Sequence, residues 1–504
     1  MVNTTSTREL YRQYKASLQK IADIKYSAAV LEWDQETYMP IKSAPTRAQQ
    51  IATLSEMAHS LFTNEKTGDL LQELNQRNDL EENEKINVEL SLYDYSKWKK
   101  LPAAFVRTLR ETTSQGYQSW LEARKANSFS FFEKDLDLII QLKKQEADML
   151  GYEQHPYNAL LNEYERGLTV EFLNKAFISL QQPLIDLLAK INNQPPVNDE
   201  FLRQYYNPKD QWQYGMELIR KLGFDFEAGR QDISEHPFTT NFSCRDVRVT
   251  TRINENDLAN MTWSSIHEIG HALYEQGLPQ EEYGLPLGEY ASLSIHESQS
   301  RLWENNVGRS EGFWEYHGRS LKKWFPQQLN DVQNREFYKG INKVAPSLIR
   351  TEADELTYHF HVMIRYEIEK LLLEGLLKTK DVPGYWNEQY QKYLGIKVPD
   401  DKRGCLQDVH WSHGSFGYFP TYSLGSLYAA QFFTAAQKQI PLLEQNITNG
   451  ITETLLEWLR ITIHRYGRRF TGAELCTHIT GEVLDIRYFL DYGNKKYGDI
   501  YNFH

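Results

Sequence analysis

The chain has 504 residues, 40% hydrophobic and 25% charged, enough to bury a large core and without a low-complexity segment. Its 56 Lys plus Arg against 68 Asp plus Glu give a net charge of -12, which argues against a nucleic acid or an anionic membrane as the main partner. Cys244, Cys405 and Cys476 are the only cysteines and form no CxxC pair, so neither a disulfide framework nor a thiolate zinc site is suggested and a reducing, cytoplasmic setting is expected. No apolar h-region opens the sequence, and no run of about 18 apolar residues follows.

Taken in chain order, "RELYRQYKASLQKIADI", "TRAQQIATLSEMAHSLF" and "EKINVELSLYDYSKW" place apolar residues at three- and four-residue spacing with charges between, which predicts helices through roughly the first 230 residues. Pro and Gly are scattered rather than clustered, and no linker forces a domain cut, so residues 1–504 are read as one unit. Its 1–230 portion is helical and its 231–504 portion carries the functional signals. After Gly229 the texture changes. "HPFTTNF" (His236 to Phe242) and "DVRVTTRI" (Asp246 to Ile253) are short, β-branched and roughly alternating, and predict a β-hairpin.

From Asn256 to Gln276 the pattern returns to helix, with a cap near Asn256/Asp257 and a stop at Gly277 to Pro279. Within it, "HEIGH" puts His267 and His271 four residues apart, so their imidazoles lie on one helical face and reach a common point, as a zinc site requires. Glu268 lies between them.

A catalytic zinc needs a third protein ligand and one open position. Tyr274 and Gly277 stand where the metzincin form would place its glycine and third histidine, and Glu275 is about 12 Å along the helix from His267. The ligand must therefore come from another element. "EYASLSIHESQSRLWENN" (Glu289 to Asn306) predicts a helix running back past the first, and at about 13 Å into it Glu297 reaches the depth of His271. Glu297 is the candidate, with Glu289 also possible on spacing.

Several segments together resemble the M32 family of metallocarboxypeptidases, the carboxypeptidase Taq type. In order they are HPF at His236 to Phe238, DxRxT at Asp246 to Thr250, HExxH at His267 to His271, and HES(G)Q at His296 to Gln299. IRxxAD follows at Ile349 to Asp354, and GxxQDxHW at Gly404 to Trp411; the early "WDQETYMP" (Trp33 to Pro40) is also family-like. The resemblance implies a mainly α fold, a large helical metallopeptidase with a deep groove and a small β-sheet beside the HExxH helix. It further implies a homodimer, one Zn2+ per chain with Co2+ as a substitute, metal ligands His267, His271 and Glu297, and Glu268 as general acid/base.

The chemistry can also be argued from the residues. A metal held by two imidazoles and a carboxylate acidifies water and polarises a scissile carbonyl, and Glu268, about 100° round the helix from His267, can take the proton without coordinating. A donor is needed for charge on the tetrahedral oxygen, and His410 and Tyr422 are candidates. Binding a free C-terminal carboxylate calls for a cation. Arg350 is the best candidate, against the alternative of a helical pair with Asp354; Arg248 could serve instead or in addition, and His236 is a further candidate for substrate contact.

On the residues alone exo- and endopeptidase remain open; the resemblance implies release of single residues from short peptides that have a free C-terminus. The rivals are an HExxH oligopeptidase cutting internally and a non-catalytic helical peptide-binding protein with a structural zinc.

Overall fold

The computed structural model describes residues 5–503. Among these residues nine α-helices precede the sheet: α1 (Thr7–Thr37), α2 (Ala44–Thr63), α3 (Glu65–Asn75), α4 (Glu82–Lys99), α5 (Ala103–Ala126), α6 (Ser130–Leu150), α7 (Tyr157–Tyr164), α8 (Val170–Asn192) and α9 (Pro208–Lys221). The apolar spacing sets the buried face of each: α1 buries Leu10, Tyr14, Leu18 and Ile21, one stripe at three- and four-residue steps. Several are started by side chains, as where Asn64 Oδ1 accepts from Thr67 N to begin α3.

The predicted hairpin is present as β2 (Thr239–Ser243) and β3 (Asp246–Thr251), so His236, Pro237 and Phe238 lie in the approach to β2 rather than on it. A third strand, β1 (Gly229–Ile233), pairs in parallel with β3 and gives the order β1-β3-β2. Its "GRQDI" has little β-branching and no alternation, which is why the sequence pattern passes over it.

α10 (Leu258–Glu275) starts at Asp257, whose carboxylate accepts from Ala259 N and Asn260 N, and packs on β2 and β3. α11 (Leu293–Arg301) is shorter than the predicted returning helix. It begins at Ser292, and beyond Arg301 the backbone widens into a π-helical turn over Leu302–Val307. α12 (Glu311–Trp324), α13 (Pro326–Leu329), α14 (Asn334–Ile341), α15 (Tyr358–Glu374), α16 (Val382–Leu394) and α17 (Pro420–Gln439) follow. α18 (Leu443–Thr448), α19 (Glu453–Thr462), α20 (Gly472–Thr480) and α21 (Arg487–Tyr501) end the fold.

α11 lies between α10 and α17, and two glycines permit it. A Cβ on Gly270 of α10 would come within 2.5 Å of Ser300 Cα and 2.7 Å of Gln299 O; one on Gly425 of α17 would come within 2.4 Å of Glu297 Cγ. Any side chain at either position would push α11, and Glu297 with it, off its neighbours.

Among the described residues there are two apolar cores. The larger runs from Trp120 to Tyr501 and crosses residue 230 without a break; the smaller joins Leu10, Tyr14, Leu18, Ile21, Leu71, Leu74, Val88 and Tyr95 of α1, α3 and α4 with Ala58 of α2 and Leu285. Among the described residues no helix is long and apolar enough to cross a membrane.

Candidate metal centre and active site

α10 and α11 bring ligand-type atoms of His267, His271 and Glu297 within 4.8 Å of one another. Glu297 Oε2 is 3.7 Å from His267 Nε2 and 3.5 Å from His271 Nε2. The outer nitrogens are taken: His267 Nδ1 bonds Glu304 Oε2 at 2.9 Å and His271 Nδ1 bonds the His296 carbonyl at 3.0 Å. Each imidazole is thereby fixed with Nδ1 as the proton carrier and the Nε2 lone pair turned towards Glu297, the tautomer a metal ligand needs. Two imidazoles, one carboxylate and no fourth protein ligand among the described residues fit a divalent ion with an open position.

The groups behind the ligands come from the end of α11, the π turn and the residues just after it, and the sequence reading missed them. Arg301 Nε donates to Glu297 Oε1 at 2.7 Å and its Nη1 to Glu304 Oε2 at 3.2 Å, while Arg309 reaches Glu304 Oε1 at 3.3 Å. Burial works against the charge on Glu297 and Glu304, but Arg301 and the histidines outweigh it and hold both carboxyls well below the usual range. Burial, reinforced by His296, pulls His271 down to about 3 and keeps it neutral. His296 itself stacks on His271 at 4.5 Å and pairs with Glu275 at 2.7 Å, whose other oxygen accepts from Asn241. His296 is thus a support for His271 and not a member of the cluster.

Glu268, next to His267 in sequence, turns towards the sheet, where Thr239 Oγ1 donates to its Oε2 at 2.6 Å. Burial raises its pKa, as suits a carboxylate that must take up a proton and return it.

A second group of residues forms around Asp408. Arg350 lies in a single 3-10 turn (Arg350–Glu352), so it shares no helical face with Asp354, which instead accepts from Leu356 N, Thr357 N and Thr357 Oγ1. Arg350 pairs with Asp408 through Nε at 3.0 Å and Nη2 at 2.9 Å, donates from Nη1 to Tyr358 Oη at 2.9 Å, and lies over the Tyr422 ring at 4.7 Å. Arg365 meets the other oxygen of Asp408 at 2.6 Å. Two guanidinium groups thus share one carboxylate. His410 Nε2 bonds Tyr422 Oη at 3.1 Å, and burial together with the two arginines brings the His410 pKa down to about 3. Tyr422 is raised well above its ordinary value by burial, so both donors keep their protons at neutral pH.

The remaining candidates lie elsewhere. Arg248 is one residue away from Val249, the register partner of Thr239, so it projects from the sheet face opposite to Glu268. There it pairs with Asp246 at 3.0 Å and stacks between Trp33 of α1 at 4.4 Å and Phe242 at 4.8 Å, a docking contact for α1. The His236 side chain is exposed and only its carbonyl is engaged, accepting from Ser234 Oγ. Glu289 is 50% exposed at its side chain and pairs with Arg468 rather than with the histidines.

A helical shell around an HExxH helix with a glutamate supplied by the returning helix defines a metallopeptidase. The family described as Carboxypeptidase Taq (M32) metallopeptidase matches residues 13–497. Carboxypeptidase 1 of Bacillus subtilis (strain 168) is 36% identical over 488 residues, 96% of this chain and 97% of its own length. Thermostable carboxypeptidase 1 of Thermus thermophilus is 38% identical over 486 residues, 94% of this chain and 95% of that protein. The crystal structure of the M32 carboxypeptidase from Deinococcus radiodurans R1 superposes with a TM-score of 0.96 at 38% identity, covering 98% of this chain and 99% of that one. The chain belongs to the carboxypeptidase Taq (M32) family and is a metallocarboxypeptidase hydrolase.

Proposed function

We propose that the enzyme is zinc-dependent and releases single amino acids, with broad side-chain tolerance, from the free C-terminus of short peptides. The observation that carries this reading is the sharing of Asp408 by Arg350 and Arg365, which leaves a net positive charge beside the His410–Tyr422 pair. Of the five guanidinium hydrogens of Arg350, three are engaged by Asp408 and Tyr358, leaving one on each terminal nitrogen for a carboxylate.

His267, His271 and Glu297 would hold the ion, and a bound Zn2+ supplies Lewis acidity that lowers the pKa of water and polarises the carbonyl. Glu268 takes the proton of the attacking water and delivers it to the leaving amine, with Thr239 holding its carboxylate in place. His410, neutral, donates from Nε2 to Tyr422 Oη, and Tyr422 donates its hydroxyl proton to the tetrahedral oxygen, an interaction typically worth about 3 kcal/mol. Arg350 receives the terminal carboxylate. Arg248 and His236 have no role in this scheme at the scissile bond. Homodimer formation and a cytoplasmic location are carried over from the family likeness and from three free cysteines.

The test compares an N-acylated pentapeptide acid with its C-terminal amide, using zinc-loaded enzyme and mass spectrometry. Stepwise loss of single residues from the acid alone is expected. Internal cleavage of both peptides would mean an oligopeptidase, and an inert but fully metal-loaded protein would mean a binding function.

A further inference from the structure

Tyr358 stands at the start of α15, buried between the two clusters, and nothing in the mechanism above uses it. Its ring lies under the Arg301 guanidinium at 4.5 Å, and Arg301 is the group that grips Glu297 at 2.7 Å. Its hydroxyl oxygen accepts from Arg350 Nη1 at 2.9 Å, and its ring meets that of Tyr422 edge-on at 6.2 Å. One side chain therefore touches the arginine behind a metal-ligand residue, the arginine proposed for the substrate carboxylate and a proposed oxyanion donor.

The hydroxyl has a second capacity. Having accepted from Arg350, Tyr358 still carries its own O–H proton, for which no acceptor is present among the described residues, although a buried phenol ordinarily finds one. The charged groups in contact with its ring and hydroxyl are both cationic, Arg301 and Arg350. The group that fits a proton donor beside the open hydrogens of Arg350 is an anion with two oxygens.

We propose that Tyr358 is a specificity-determining residue for the free C-terminus: its hydroxyl donates to the substrate's terminal carboxylate alongside Arg350, and its ring, stacked on Arg301, fixes how far that carboxylate lies from Glu297. This rests on the carboxypeptidase reading of Arg350. A third hydrogen bond to a charged group strengthens binding of the acid, while the corresponding C-terminal amide gains less from the same phenol. The fixed spacing also restricts the bound product to one residue.

The experiment uses Tyr358→Phe, which keeps the ring on Arg301 and removes only the hydroxyl, with Tyr358→Leu, which removes both, and Arg350→Gln. Kinetics on N-acyl dipeptide acids of the zinc-loaded enzymes, binding of acid and amide forms, and zinc affinity by chelator competition are measured for each. For Tyr358→Phe, KM for the acid is expected to rise about 10- to 100-fold with kcat nearly unchanged, zinc affinity intact and the preference for acid over amide reduced. Tyr358→Leu is expected to lose kcat as well, because the depth of the site is no longer fixed. The inference is overturned if Tyr358→Phe keeps the wild-type preference while Arg350→Gln loses it, or if kcat falls with KM unchanged. A wild-type enzyme that does not distinguish acid from amide would instead overturn the carboxypeptidase reading itself.

Discussion

Glu304 and Glu369 show two different uses of a buried carboxylate. Glu304 orients His267 and is itself held by Arg301 and Arg309. Glu304→Gln keeps the shape but removes the negative charge that favours the Nδ1–H tautomer, and zinc affinity is expected to fall about 10- to 100-fold in a chelator titration. Glu369 in α15 braces the segment that carries His410 and Tyr422: it accepts from Trp411 Nε1 at 2.9 Å, from Gly417 N at 2.8 Å and from Tyr157 Oη. Burial pushes its pKa up to about 7, against those hydrogen bonds and Lys143, which lower it. The folded state therefore binds this proton more tightly than the unfolded chain. The stability so contributed is complete below the ordinary value of 4.5 and is lost as pH rises through about 7, roughly 3 kcal/mol in all. Denaturant unfolding across that window should show the slope in the wild type and a flatter one in Glu369→Gln; equal slopes would mean that Glu369 titrates normally.

At the level of elements, the site depends on how closely three helices approach. Gly425→Ala puts a methyl against the Glu297 side chain and Gly270→Ala puts one against the backbone of Ser300, so each is expected to cost about 1–3 kcal/mol and to weaken zinc binding together with stability. Calorimetry with and without zinc separates the two effects, and a variant with normal zinc affinity would show that α11 relaxes freely. The same elements show what a sequence can reveal. His267, Glu268 and His271 are legible because their spacing matches a helical turn, and Glu297 because a returning helix has a computable depth. Arg301, four residues from Glu297 on α11, is legible as a helical pair and is passed over, whereas Glu304 is not legible, since the π turn breaks the 3.6-residue phase that a sequence pattern assumes. Arg350 was legible as a cation but not in its pairing, because Asp408 is 58 residues away in the chain while Asp354 is the misleading near neighbour. Arg248 reads like a site residue until strand register assigns it to the other face of the sheet.

Across the whole molecule, the division into two apolar cores has a measurable consequence. The smaller one, built from α1 to α4, meets the rest in part through Leu285, through Asn87, which bonds Glu282 Oε2 at 2.8 Å and accepts from Leu287 N at 2.9 Å, through the Arg468–Asp94 pair at 2.6 Å, and through Trp33 of α1 stacked on Arg248 at 4.4 Å. A small core with a largely polar seam opens at lower free energy than a large apolar one. Hydrogen exchange in mild denaturant should therefore release α1 to α4 before α10, α11 and α17, with zinc raising protection chiefly in the latter; simultaneous release would mean one cooperative unit.

The ion-holding residues and their supports all fall between His267 and Arg309, whereas the groups that face the substrate's end are drawn from Arg350 to Tyr422. Contacts between near neighbours in the chain close short loops and form ahead of distant ones as a protein folds. The metal-binding residues can thus come together early, but Gly425 of α17, against which Glu297 packs, follows Tyr422 in the chain, so their final seating waits for the helix that also carries the substrate-facing tyrosine.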